Sequence, residues 1–145
     1  MALFNDDEQL RVRRAIEEVE KLTSAEVRVC IEKTCSEDVL LRAARYFNKL
    51  GMQHTKHRHG VLIYLATVDR KFAIIGDEGI NKKVAADFWD TTKQAMLNDF
   101  KFGNLIEGIV TGLNIAGAQL KKHFPHGDNN QRNELPNDIA FMDGK

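Results

Sequence analysis

Two carboxylates, Asp77 and Glu78, stand where an apolar run ends and Gly79 follows. Hard cations such as Ca²⁺ and Mg²⁺ take several oxygen ligands, carboxylates and backbone carbonyls among them. A strand-to-helix turn exposes free carbonyls beside its side chains, so this corner is the first candidate for a divalent site. Asp87 and Asp90, at the start of the next helical stretch, are the acids that could close on the same ion. The plain alternative is that acids at helix N-termini answer the helix dipole and cap free N–H groups. There is no D-x-D-x-D-G loop, so the site is not an EF-hand.

His54, His57 and His59 form the second constellation, and three imidazoles this close could hold zinc or copper. The interleaved cations Lys56 and Arg58 disfavour a bound ion, which ranks these histidines behind the carboxylates. The same HTKHRH patch could take phosphate, although no Gly-rich loop accompanies it. A β-hairpin turning near Asp69-Arg70 would bring His59 towards the Asp77–Glu78 corner. Covalent catalysis has poor candidates. The serines, Ser24 and Ser36, read as a break and a cap, and no G-x-S-x-G elbow exists. Cys30 shares a strand face with Glu26, Arg28 and Glu32 and reads as a buried thiol. Glu26 and Glu32 could act as paired acids, but solvated strand residues are the plainer reading. No catalytic residue is assigned.

The elements that must position these groups follow from periodicity. Val12, Ala15, Ile16 and Val19 recur at helical spacing behind an Asn5/Glu8 cap, which predicts a helix over 6–21. Ala25, Val27, Val29 and Ile31 alternate with polar partners, which predicts a strand with one wetter face, at an edge or under thin cover. Ser36 is the expected cap of a second helix, with Glu37 and Asp38 in its first turn. Val39, Leu40, Ala43, Phe47 and Leu50 make its apolar stripe, and Gly51 its stop. Val61 to Ala66 is apolar on both faces and predicts a central strand. Phe72 to Ile75 returns as the second arm of the hairpin. A short turn at Ile80 and Val84 and a helix carrying Phe88, Trp89, Met96 and Phe100 come next. A last helix runs from Ile106 to Leu120, with Gly108, Gly112 and Gly117 inside it, where packing against a sheet would offset their cost of about 1 kcal/mol each.

The predicted class is α/β: a small mixed β-sheet, a parallel crossover plus an antiparallel hairpin, with helices packed on it in the order α-β-α-β-β-α-α. Residues 1–125 read as one domain. Residues 126–145 read as a polar, flexible tail, whose segment 133–141 could dock on a partner or on the domain itself.

Composition bounds the function. The chain has 145 residues and balances 21 basic against 21 acidic side chains, so its charge gives no reason to expect nucleic acid or an anionic membrane as a partner. Cys30 and Cys35 lack C-x-x-C spacing, and reduced structural thiols are expected. MALFNDDEQL meets two acids before any apolar core, which is unlike a signal peptide, and no segment approaches the length of a membrane helix. A cytoplasmic protein is expected.

Thr23 to Val29, the stretch Gly60 to Asn81, and Phe100 through Pro125 together resemble the TPM domain family. The cover runs from the first helix to Pro125. The resemblance implies an α/β sandwich, divalent-cation binding (calcium or magnesium) and, from a plant relative, acid phosphatase activity. It departs at His59, where relatives often carry Asn or Asp before the glycine. The leading expectation is therefore a binding or accessory module that holds Ca²⁺ or Mg²⁺ through Asp77, Glu78, Asp87 and Asp90. The runner-up is a metal-assisted phosphatase acting on phosphomonoesters. A third is an interaction protein that meets a partner through its tail.

Overall fold

The computed structural model describes residues 4–126 and 135–143. Helix α1 (Asp6–Leu22) starts where expected, because Asn5 and Glu8 form a reciprocal capping box: the Asn5 side chain accepts from Glu8 N–H at 2.8 Å and Glu8 accepts from Asn5 N–H at 3.0 Å. Strand β1 (Glu26–Glu32), helix α2 (Val39–Lys49) and strand β2 (Gly60–Ala66) make the parallel crossover. Strand β3 (Lys71–Gly76) returns antiparallel to β2. A single turn α3 (Glu78–Asn81), α4 (Asp90–Lys101) and α5 (Leu105–His123) follow, and β4 (Ala140–Phe141) closes the order.

The sheet runs β3-β2-β1-β4. Strand side chains alternate between its faces, so it separates two apolar layers. Val27, Val29, Ile31, Val61, Ile63 and Leu65 face α1, α4 and α5 in the larger core. Cys30, Leu62, Tyr64, Ala66 and Ala73 face α2 and Met52 in the smaller one. Every residue of β2 is buried, as its two-sided apolar run requires.

Five local expectations are corrected. Strand β1 lies inside the sheet rather than at an edge. Ala140 and Phe141 pair parallel to Cys30 and Ile31, and Met142 N–H donates to Ile31 C=O at 2.9 Å. Glu26 and Glu32 are accordingly buried, not solvated. Helix α2 is capped by Asp38 rather than Ser36. Residues 36–37 are held outside it, since Glu37 pairs its carboxylate with Arg42 and Arg45 and its carbonyl accepts from Lys71. Leu40 of its predicted stripe is exposed, and Tyr46 is buried instead. Finally, the glycines of α5 serve helix contacts, not the sheet. A Cβ at Gly108 or Gly112 would overlap Phe100 or Met96 of α4, and Gly117 meets Val19 of α1.

Over 135–143 the chain packs back on the domain itself, one of the readings its sequence left open. Leu135 is buried, Phe141 packs on Phe4 with ring centroids 6.4 Å apart, and Arg13 pairs with Asp138 at 2.6 Å. Residues 127–134 and 144–145, including Asp128, Arg132, Glu134 and Lys145, lie outside the described residues. Among the described residues no helix is long and apolar enough to cross a membrane.

Candidate functional site

Three chain segments converge at the end of the sheet where β1 and β2 begin and β3 ends. Glu26 pairs in register with Gly60, and Val61 with Gly76. Asp77 N–H continues the ladder to Gly60 C=O at 2.8 Å. Gly79 N–H donates to Arg58 C=O at 3.0 Å, and a Cβ on Gly79 would overlap the carbonyl oxygens of both His57 and Arg58. Only glycine lets the histidine loop sit this close to the turn. Arg58 itself adopts a left-handed backbone (φ 57°), which aims its side chain back over the corner.

Arg58 takes both oxygens of Asp77. Its Nε donates to Oδ2 at 2.7 Å and its Nη2 to Oδ1 at 2.8 Å, the bidentate form of the pair. Asp77 also caps α3, accepting from Glu78 N–H at 2.7 Å. The Asp77 side chain is 5% exposed, Arg58 38% and Glu78 56%, with Arg58 Nη1 3.4 Å from Glu78 Oε1. Asp87 and Asp90 are exposed, and Asp90 N–H donates to Asp87 C=O at 3.0 Å. Among the described residues, no three histidines, cysteines or acids stand together as ion ligands. Asp77, Glu78, Asp87 and Asp90 are therefore not gathered at one point, and neither are His54, His57 and His59. A guanidinium already neutralises the one buried carboxylate, so this donor set does not fit a preformed divalent site.

What the fold does bring together was hard to see from residue spacing. Ser24 Oγ lies 2.9 Å from His59 Nδ1. The His59 ring meets Phe124 edge-on at 4.7 Å, and Lys83 Nζ stands over the same ring at 5.4 Å. Phe124 is fixed there because its carbonyl accepts from Ser24 N–H at 2.9 Å and from the Thr23 hydroxyl. Burial lowers the His59 pKa below the ordinary imidazole value. His57 and Lys83 lower it further by repulsion, against a smaller opposing pull from Asp77. Ser24 had only the reading of a helix break. Arg58 did carry a signal, as a cation among candidate ligands.

Two further acid clusters lie beside the sheet. Glu32, at the far end of β1, accepts from Arg42 Nε at 2.8 Å and Nη2 at 3.1 Å, from Tyr46 at 2.7 Å and from the Tyr64 hydroxyl. Burial pushes its pKa up, but these donors outweigh burial and hold it below the usual carboxylate range. Burial pushes Tyr46 up to about 12, with Glu32 adding to the shift. Near the start of β1, Leu135 N–H donates to Glu26 Oε1 at 2.9 Å. Glu20 stands close by, its pKa pushed up to about 8 by burial and by Glu26. Cys30 is a free buried thiol pushed up to about 12, chiefly by burial, which makes it a poor nucleophile.

A three-layer α/β sandwich with a mixed four-stranded sheet, its polar corner at the β1/β2 start, is the class these features define. The TPM domain model matches residues 1–119, and the chain belongs to the TPM domain family. Its fold is similar to the NMR structure of BA42 protein from the psychrophilic bacterium Bizionia argentinensis, at 44% identity and a TM-score of 0.90, covering 97% of this chain and 96% of that one. The N-terminal domain of a protein from P. gingivalis shares the fold at 15% identity and a TM-score of 0.71, covering 88% of this chain and 83% of that one. The N-terminal domain of the cg2496 protein from Corynebacterium glutamicum does so at 12% and 0.63, covering 88% and 78%. No curated protein matches the chain.

Proposed function

We propose that this chain is a TPM-domain binding module whose corner receives a phosphate-bearing ligand. The receiving groups are Lys83, His59 and the Arg58 N–H groups that Asp77 leaves free. One observation carries this reading: Lys83 and His59 press on the same Phe124 ring, and no ion pair to Lys83 occurs among the described residues. An anion between them would remove the repulsion that now lowers the His59 pKa. Ser24 adds a hydroxyl to the same rim. The phosphatase in the matched family's name is consistent with this ligand class.

Nuclear magnetic resonance titration with inorganic phosphate and phosphoserine tests it. The expected result is a saturable shift of the His59 ring and Lys83 signals with a rise in the His59 pKa, weakened severalfold in Lys83→Gln and by added salt. A His59 titration curve untouched by either ligand would refute it.

The competing reading is divalent-cation binding at Asp77 and Glu78, with metal-assisted phosphomonoester hydrolysis. The exposed Glu78 carboxylate favours it, but it requires Arg58 to release Asp77. Calorimetric titration with Ca²⁺, Mg²⁺ and Zn²⁺, paired with a p-nitrophenyl phosphate assay, separates the two. Ion uptake lost in Asp77→Asn, or hydrolysis above the buffer rate, would favour it.

A further inference from the structure

The opposite end of the sheet carries a cavity of about 300 Å³, between the β2–β3 turn and the elbow joining α4 to α5. Its apolar wall is Leu65, Phe72, Leu97, Phe100 and Leu105, with Phe72 and Phe100 edge-to-face at 5.0 Å. Gly103 opens one side: its φ is 79° and a Cβ there would meet nothing within 4 Å. Its cations are Arg70, a non-glycine residue at φ 56°, and Lys101.

Neither cation has an ion pair or hydrogen bond among the described residues, and the acids nearest them along the chain accept from other donors. Asp69 accepts from Cys35 N–H at 2.6 Å, Lys71 donates to the carbonyls of Cys35 and Glu37, and Asp99 accepts from the Thr111 hydroxyl at 2.8 Å. Phe102 and Val68, which follow the lining residues Lys101 and Thr67 in the chain, are both exposed, Phe102 at 82%.

We infer that this cavity binds a small amphiphile with a single anionic head, a free medium-chain carboxylate, with its chain against Leu65, Phe72 and Phe100 and its head between Arg70 and Lys101. An uncharged apolar ligand would leave both cations unanswered. A hydrophilic anion would leave the aromatic wall wet. The volume sits at the lower limit of small-ligand pockets, which selects a single short chain rather than a two-chain lipid.

Titrating the ¹⁵N-labelled protein with octanoate, below the concentration at which it aggregates, tests the proposal. Saturable shifts are expected at Thr67, Arg70, Leu97, Lys101 and Gly103. Lengthening the chain from hexanoate to octanoate should tighten binding about fourfold per methylene. Octanol should bind at least tenfold more weakly than octanoate to the native protein, and that difference should vanish in R70Q/K101Q. The octanol comparison stands even where the double variant fails to fold. Equal affinity for octanol and octanoate would overturn the proposal. So would shifts confined to the Lys83 corner, binding only to anionic vesicles, or protein-concentration-dependent shifts that report a second copy of the chain on this face.

Discussion

Glu32 and Asp77 are both buried carboxylates at sheet ends, and each accepts a bidentate arginine, yet they sit in different worlds. Glu32 adds two tyrosine hydroxyls to Arg42, and its side chain is 4% exposed. All its partners come from α2 and β2, elements that the smaller core holds rigid. Among the described residues, the Asp77 side chain is held by Arg58 and the first N–H of a single-turn helix, and Arg58 comes from a loop and reaches water. The same ionic pair is part of the core at one end and part of a surface at the other. A carboxylate covered by two tyrosines and an arginine that is only a quarter exposed stabilises the fold through satisfied hydrogen bonds. A pair with one exposed member can exchange its partner for a ligand.

The largest loss of stability should fall on the Glu32–Arg42 pair. Glu32→Gln leaves Arg42 without its buried counter-charge and should cost roughly 3 kcal/mol in urea unfolding. Because the donors hold the Glu32 pKa below its unfolded value, the native protein should keep this stabilisation above that unfolded value and lose it as the pH falls through the folded one. A loss as small as that of an exposed pair would erase the contrast between the two ends.

A smaller and more local effect is expected at the corner. Arg58→Gln should leave the midpoint of unfolding nearer to native than Glu32→Gln does, while amide exchange accelerates at Gly79 and the 54–59 loop. The freed Asp77 should also gain measurable affinity for Ca²⁺ in calorimetry. A native protein that binds Ca²⁺ at Asp77 as tightly as the variant would show that Arg58 does not guard the site.

The effect of opposite sign, a gain in stability, concerns Glu20, a buried acid with no ion pair to an arginine among the described residues. Its folded pKa of about 8 exceeds the unfolded value, so its contribution is present in full at acid pH and is lost as the pH rises from about 4.5 through 8. Glu20→Gln should flatten that part of the stability profile and leave the variant the more stable protein above pH 8. An unchanged slope between pH 5 and 8 would mean that the group does not titrate there.

Much of this molecule was legible in residue order. The Asn5–Glu8 box, the two-sided apolar run of β2 and the antiparallel return of β3 rest on near-neighbour pattern, the parallel crossover rests on element order, and all appear in the structure. The approach of His59 to Asp77 also followed from where the hairpin turns. The fate of Glu26 and Glu32 did not, because alternation marks which face a side chain occupies and not what later covers that face. Leu135, more than a hundred residues downstream, covers Glu26, and the tyrosines of α2 and β2 cover Glu32.

Local pattern, then, determined the class of this protein: helix and strand periods and the Asn5–Glu8 cap are set by contacts a few residues apart, and the strand–helix–strand order implies the crossover. Only the tertiary structure decided the chemistry of its corner. Ser24, Arg58, His59, Asp77, Lys83 and Phe124 come from five separate segments, and whether a carboxylate there faces a metal ion, an anion's neighbour or an arginine depends on distances that no spacing along the chain encodes. Arg58 reaches Asp77 across nineteen residues because Gly79 lets the loop close on the turn, and that contact turns an acidic motif into a neutralised one.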